Sequence, residues 1–270
     1  MKFLRWFRAT ASPQDKKVEP PEDVHQLLQK AHAHLQLEEY DLARASLLQA
    51  VGSRDRLMDA TVITYILSGL EATWLFTERY EEGIAFFSEY LGRYPGDSGA
   101  YVGRAAALWY TGRLEEAIRD YSRALELNPT DILSLTSRGQ VLAEIGENGR
   151  AMDDLNLALN YLKTVSTPNP AWSEWYQEVE AFVRNGRGFA LAGLSESAQA
   201  MEEFAASMKL SPENAWVYYN RAQVHDRAAD KEEATADYQK ALIMKKPRLN
   251  PIRRNHAQVR LRELMPGNES

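Results

Sequence analysis

Cysteine is absent from all 270 residues, which excludes disulfides, thiol nucleophiles, CxxC redox pairs and zinc sites built on thiolates. Long apolar runs are missing too. The nearest is ATVITYILSGLEATWLF, residues 60–76, which carries Glu71 and is only 17 residues long, whereas a spanning helix takes about 20 mostly apolar residues. It reads as a helix buried in protein. Arg5 and Arg8 interrupt the opening MKFLRWFR, and no small-residue cleavage site follows an apolar run, so no cleaved leader is expected. Phosphate loops of the form GxxxxGK[ST], GxGxxG turns, GxSxG elbows and HExxH helices are all lacking. Two of the five histidines, His25 and His32, share a helical face, but at two turns, about 10 Å, they are too far apart to chelate one ion. The expectation is a non-enzyme with no cofactor, no metal and no catalytic residue.

Basic charge is scarce in the body of the chain. Residues 1–17 carry five basic and one acidic side chain and residues 240–270 carry eight and two, which leaves 19 basic against 35 acidic between them. Nucleic-acid binding needs clustered Lys and Arg to neutralise phosphates, so that class is excluded for the body. The carboxylates on later helical stretches, such as Glu115, Glu116 and Asp120 or Glu232, Glu233 and Asp237, read as solvated outer faces.

What the chain does contain is a repeat. In residues 98–131, Tyr101, Ala105, Leu108, Gly112, Ala117, Tyr121, Ala124 and Pro129 occupy places 4, 8, 11, 15, 20, 24, 27 and 32 of a 34-residue unit. Steps of three and four put places 4, 8 and 11 on one face of a first helix and places 20, 24 and 27 on one face of a second. Small residues at 8, 20 and 27 let the helices approach, Gly112 suits a turn at positive φ, and Pro129 stops the second helix. Units at 24–57, 64–97, 132–165, 181–214 and 215–248 stay in phase, with Glu71 and Gly83 standing where small apolar residues are usual. Residues 1–23 precede the array as a basic, aromatic segment on a Pro-containing tether. Insertions fall at 58–63 and 166–180, and residues 249–270 form a capping helix and tail. In the cap, Val259, Leu261 and Leu264 are expected to pack while Arg253, Arg254, Arg260 and Arg262 stay solvated.

On these residues the chain resembles the tetratricopeptide repeat family over about three-quarters of its length. The resemblance implies an all-α fold, a right-handed superhelical solenoid of about six helix pairs with a C-terminal cap. It also implies a concave groove lined by places 2, 5, 6, 9, 12 and 13 of the first helices. Those places hold Tyr65, Phe76, Trp109, Tyr110, Gln140, Phe182, Asn185, Phe189, Trp216, Tyr219, Asn220 and Gln223. Aromatic platforms with a few amides have the composition of a protein-contact surface. The expected function is therefore a cytoplasmic scaffold that binds a peptide or helix of another protein. Trp109 and Trp216 are the expected anchors, with Gln140, Asn185, Asn220 and Gln223 pairing to ligand backbone. The family's carboxylate clamp is not matched, because Leu28, His32, Gly69, Gly99 and Gly103 stand at its places.

A second reading rests on MKFLRWFR. Phe3, Arg5, Trp6, Phe7 and Arg8 suit contact with an anionic membrane surface, which would make the chain a membrane-recruited assembly factor.

Overall fold

The computed structural model describes residues 22–53, 60–165, 173–244 and 249–265. Among these residues there are thirteen helices and no strand. They are α1 (Glu22–Gln36), α2 (Tyr40–Val51), α3 (Ala60–Thr77), α4 (Tyr80–Arg93), α5 (Ser98–Tyr110), α6 (Leu114–Leu127), α7 (Ile132–Glu144), α8 (Asn148–Val165), α9 (Ser173–Gly193), α10 (Ser197–Leu210), α11 (Ala215–Arg227), α12 (Lys231–Ile243) and α13 (Pro251–Leu264). The architecture is an all-α repeat solenoid, and it divides into two compact units, one up to Asn128 and one from Pro129 onward.

The 34-residue period reappears in the backbone. Place 15 of every unit has positive φ: Glu38 at 61°, Glu78 at 59°, Gly112 at 80°, Gly146 at 83°, Ser195 at 67° and Ala229 at 63°. A left-handed residue at the end of the first helix reverses the chain within a few residues, so the second helix folds back onto the first. Place 34 supplies helix starts. The side chains of Asp131 and Asn214 accept hydrogen bonds from the backbone N–H groups of Ser134 and Trp216, at 3.0 Å each.

In the first unit, α5 lies against α3, α4 and α6. Its core gathers Ala31, Leu47, Leu67, Leu70, Trp74 and Phe87, and around the third helix pair Ala105, Ala117, Tyr121 and Ala124 are equally buried. Gly83 has a packing reason: a Cβ there would meet the Trp74 ring at 3.3 Å, so a large residue at place 11 is matched by none at place 20. In the second unit α9 lies against α7, α8, α10 and α11. Leu142, Leu155, Ala158, Phe204, Ala222, Ala234 and Tyr238 fill the corresponding positions. Each buried Leu or Phe removed from water contributes roughly 1.5–3 kcal/mol. Helix α3 starts four residues before its unit's first place, and residues 173–180 are continuous helix with the first helix of the fifth unit.

Four units carry a tie that the outward-face reading of the carboxylates overlooked. At places 7 and 23 the Arg104 guanidinium donates to both oxygens of Asp120, at 2.6 and 2.8 Å. Arg138 does the same to Asp154, at 2.7 and 2.8 Å, and so does Arg221 to Asp237, again at 2.7 and 2.8 Å. Arg187 reaches Glu203 at 3.0 Å from the same two places. Asp120 is only 7% exposed and Asp237 only 4%, so neither lies on a solvated face. In the first three the planar guanidinium meets the carboxylate in two parallel bonds. Places 7 and 23 of the second repeat, residues 64–97, hold Leu70 and Phe86, so apolar packing replaces the ion pair there.

Two outcomes follow from this register and its ties. Ser195→Gly and Ala229→Gly should each raise the thermal midpoint, gaining about 0.5–1 kcal/mol by relieving the left-handed strain, while Gly112→Ala should lower it. Asp120→Ala should cost roughly 1.5–3 kcal/mol, because it strands a partly buried guanidinium. A double-mutant cycle with Arg104→Ala reads the coupling directly, and additive losses would show that the pair contributes nothing beyond packing.

Candidate protein-binding surface

The first helices of the first unit place a half-buried apolar and aromatic stripe on one face. Leu28 and His32 on α1, Tyr65, Ser68, Leu75 and Phe76 on α3, and Val102 and Tyr110 on α5 are all partly exposed. Their spacing of three and four residues follows the helical turn, and the small buried Ala72 and Ala106 lie between them. The rings are braced from below. Phe76 stacks on Tyr40 at 4.9 Å with an interplanar angle of 8°, and Tyr110 meets Tyr80 at 5.5 Å. His32 Nε2 is 2.7 Å from Gln36 Nε2 while its Nδ1 faces the Tyr65 hydroxyl at 3.5 Å, so the imidazole spans α1 and α3.

The two tryptophans expected as anchors are packed away. Trp109 is 3% exposed, with its ring edge-on to Tyr110 at 6.2 Å, and Trp216 is 2% exposed. The helical period places both on the predicted face, but it carries no information about what lies over that face.

In the second unit, what lies over it is α13. The Arg253 guanidinium sits 4.3 Å above the Trp216 ring and also pairs with Glu144 at the end of α7. The Tyr219 hydroxyl is 3.1 Å from His256 Nδ1, and the Arg260 guanidinium donates to both oxygens of Asp226, at 2.7 and 2.8 Å. This corrects the expected cap. Arg253 is buried and Arg260 is engaged where both were expected to be solvated, while Val259, Leu261 and Leu264 are half-buried and Arg262 is exposed.

The amides are also engaged within the unit. Gln140 Nε2 donates to the Phe182 carbonyl at 2.9 Å, and Asn220 Nδ2 donates to Asn185 Oδ1 at 3.2 Å. Phe189 is buried beneath the Arg227 guanidinium, 5.3 Å from its ring, and Phe182 and Gln223 remain half-buried. The structure thus brings Tyr65 and Phe76 into one accessible stripe with Tyr110, and places Trp216 and Tyr219 under α13. Phe3, Arg5, Trp6, Phe7 and Arg8 lie outside the described residues. Among the described residues, no helix is long and apolar enough to cross a membrane.

Burial pushes the Tyr219 phenol up to about 12. The His256 imidazole is held below its ordinary 6.5, first by burial and then by the Arg260 charge, against the opposing pull of Asp226 and Glu263. A base whose folded pKa is depressed adds stability above its unfolded value, and that stability is lost as the pH falls toward the folded value.

Family comparison gives consistent matches. Residues 99–131 match one model of the tetratricopeptide repeat, and residues 27–55 and 217–246 match a second model of the same repeat. No curated protein matches the chain in sequence. Among solved structures, the APC/C hetero-tetramer Cut9–Hcn1 aligns with a TM-score of 0.65 at 15% identity, covering 98% of this chain and 46% of that one. A tetratricopeptide repeat protein from Parabacteroides merdae aligns at 0.52 and 18% identity, covering 91% of this chain and all of that one. A thermophilic protein of the same repeat class from Thermus thermophilus also gives 0.52 and 18%, over 74% of this chain and 98% of that one. At these identities the likeness is one of fold.

The half-buried His256 imidazole sets a pH dependence. The thermal midpoint of the full chain should fall more steeply between about pH 7 and pH 5 than that of His256→Gln, because acid charges a ring that the fold keeps neutral. Calorimetry across that window reads the difference, and equal slopes would show that His256 does not carry it.

Proposed function

We propose, from the premise that the chain belongs to the tetratricopeptide repeat family by its matched repeats, that this protein–protein interaction scaffold holds a segment of another protein on the first-helix face of its first unit. One observation carries this reading: Leu28, His32, Tyr65, Leu75, Phe76 and Val102 leave apolar and aromatic surface partly exposed on α1, α3 and α5. Rigid helices fix these side chains, so little conformational entropy is lost when a ligand packs against them.

The ligand this lining suits has bulky apolar side chains at spaced positions and a polar group that can meet the Tyr65 hydroxyl or the His32 ring. Binding is by shape and apolar burial, without covalent chemistry. A second reading is that Phe3, Arg5, Trp6, Phe7 and Arg8 contact an anionic membrane surface.

The test compares affinity capture by wild type, by Tyr65→Ala with Leu75→Ser, and by Arg123→Ala, whose side chain lies on the second helix α6. The α3 variant should keep its helical circular dichroism and lose a partner that the wild type and the α6 variant both retain. Loss of a central interface residue of this size costs about 2 kcal/mol or more. Equal capture by all three proteins would remove the first-helix face as the site.

A further inference from the structure

Helix α13 is held unlike any other helix contact in its unit. The repeats of the second unit are closed by buried Leu142, Leu155, Phe204 and Tyr238. On α13 only Arg253 and Ala257 are buried, and its largest apolar side chain near the start, Ile252, is 50% exposed. It packs along α12, where His256 meets the Tyr238 ring, and its attachments to the first helices are polar: Arg253 on Trp216 and Glu144, His256 on Tyr219, and Arg260 on Asp226. Arg253, His256 and Arg260 follow one another at steps of three and four, so they share one helical face.

The surface beneath has matching chemistry. Glu144 and Asp226 supply carboxylates, and Trp216 and Tyr219 supply flat rings between them. Two carboxylates with aromatic platforms recognise guanidinium groups, since arginine can both form paired hydrogen bonds and stack. Two arginines seven residues apart on a helix are separated by about 10.5 Å along its axis, which sets the spacing this surface accepts. One donor on the same face is left over: Asn185 Nδ2 is buried and has no hydrogen-bond partner while α13 is in place. A helix serving only to shield the last repeat would present apolar side chains inward and charges outward. Here Arg253 and Arg260 point in.

We propose that the first-helix face of α7, α9 and α11 is a binding site for an arginine-bearing helix of another protein, and that α13 is its exchangeable internal occupant. Helix α13 buries only Arg253 and Ala257 and is otherwise tied by charge pairs that salt weakens, so it can leave while the repeats beneath stay folded. The incoming helix carries two arginines seven residues apart, with a ring or hydrogen-bonding side chain midway between them. This site is separate from the stripe on the first unit and stands whether or not that stripe binds anything.

The probe is a fluorescent peptide of residues 249–265, added to the full chain carrying Arg253→Ala and Arg260→Ala, and to wild type. Anisotropy should show the peptide binding the variant at least about tenfold more tightly than wild type, whose own helix competes. Binding should weaken between about 0.05 M and 0.5 M salt, and a peptide with both arginines replaced by Gln should not bind. No binding to a variant that keeps the circular dichroism of α7–α12 overturns the proposal.

Hydrogen exchange on wild type gives a second readout that does not depend on the variant folding. Protection of α13 should fall at least about tenfold over the same salt range while α11 and α12 keep theirs. If α13 exchanges in step with α11 and α12, it is a permanent cap and the proposal fails. Dimers of wild type that vanish in the variant would assign the face to a second copy, which also contradicts a site for another protein.

Discussion

One backbone constraint organises the whole chain: a residue at positive φ fifteen places into every repeat, which turns the second helix back along the first. Gly112 and Gly146 meet it without a steric cost, while Glu38, Glu78, Ser195 and Ala229 carry side chains into the left-handed region and hold it through the packing around them. With that turn fixed, small residues at places 8, 20 and 27 face one another and the helices of a pair approach closely. Place 7 then comes opposite place 23, and the Arg–Asp ties become geometrically possible. The same register aligns places 2, 5, 9 and 12 of successive first helices into a face that can meet a ligand.

The two units use that register differently. In the first, aromatic packing around Trp74, Phe86 and Phe87 takes in the second repeat the part that the Arg104–Asp120 pair plays in the third, with Trp74 and Phe87 edge-on at 5.5 Å. Its first-helix face remains partly open. In the second unit, bidentate ion pairs tie the helix pairs, and the equivalent face is covered by arginines of α13. The acidic excess of the chain's body thus has two distinct structural uses: internal ties within repeats, and carboxylates that hold a basic helix.

Much of the fold was legible because a helical hairpin imposes the same spatial demand every 34 residues. Period, place 15 and the pairing of small with large residues are local and therefore visible in one sequence. Even the misfit at Gly83 has a local partner in Trp74. The Arg–Asp tie was also readable, as arginine followed by an acidic residue sixteen places later in four units, but amphipathicity alone marks Asp120 and Asp237 as outward. A helix pair buries such a carboxylate only because a guanidinium comes to meet it.

The candidate surface was legible only in part. Helical spacing placed Tyr65, Phe76, Trp109 and Trp216 on one kind of face without distinguishing open positions from covered ones. Covering is a tertiary event. Arg253 reaches Trp216 and Glu144 from 37 and 109 residues away, and no periodic pattern connects those positions. Basic residues in a terminal helix also favour a solvated reading, since lone arginines are seldom buried; burial becomes favourable only where carboxylates and rings are already assembled.

The most direct measurement of the central claim is a hydrogen-exchange footprint of the full chain with and without a bound partner protein. The account predicts added protection on α1, α3 and α5, whose side chains form the open stripe. Protection confined to the second helices α2, α4 and α6 would contradict it and move the binding surface to the other side of the repeats.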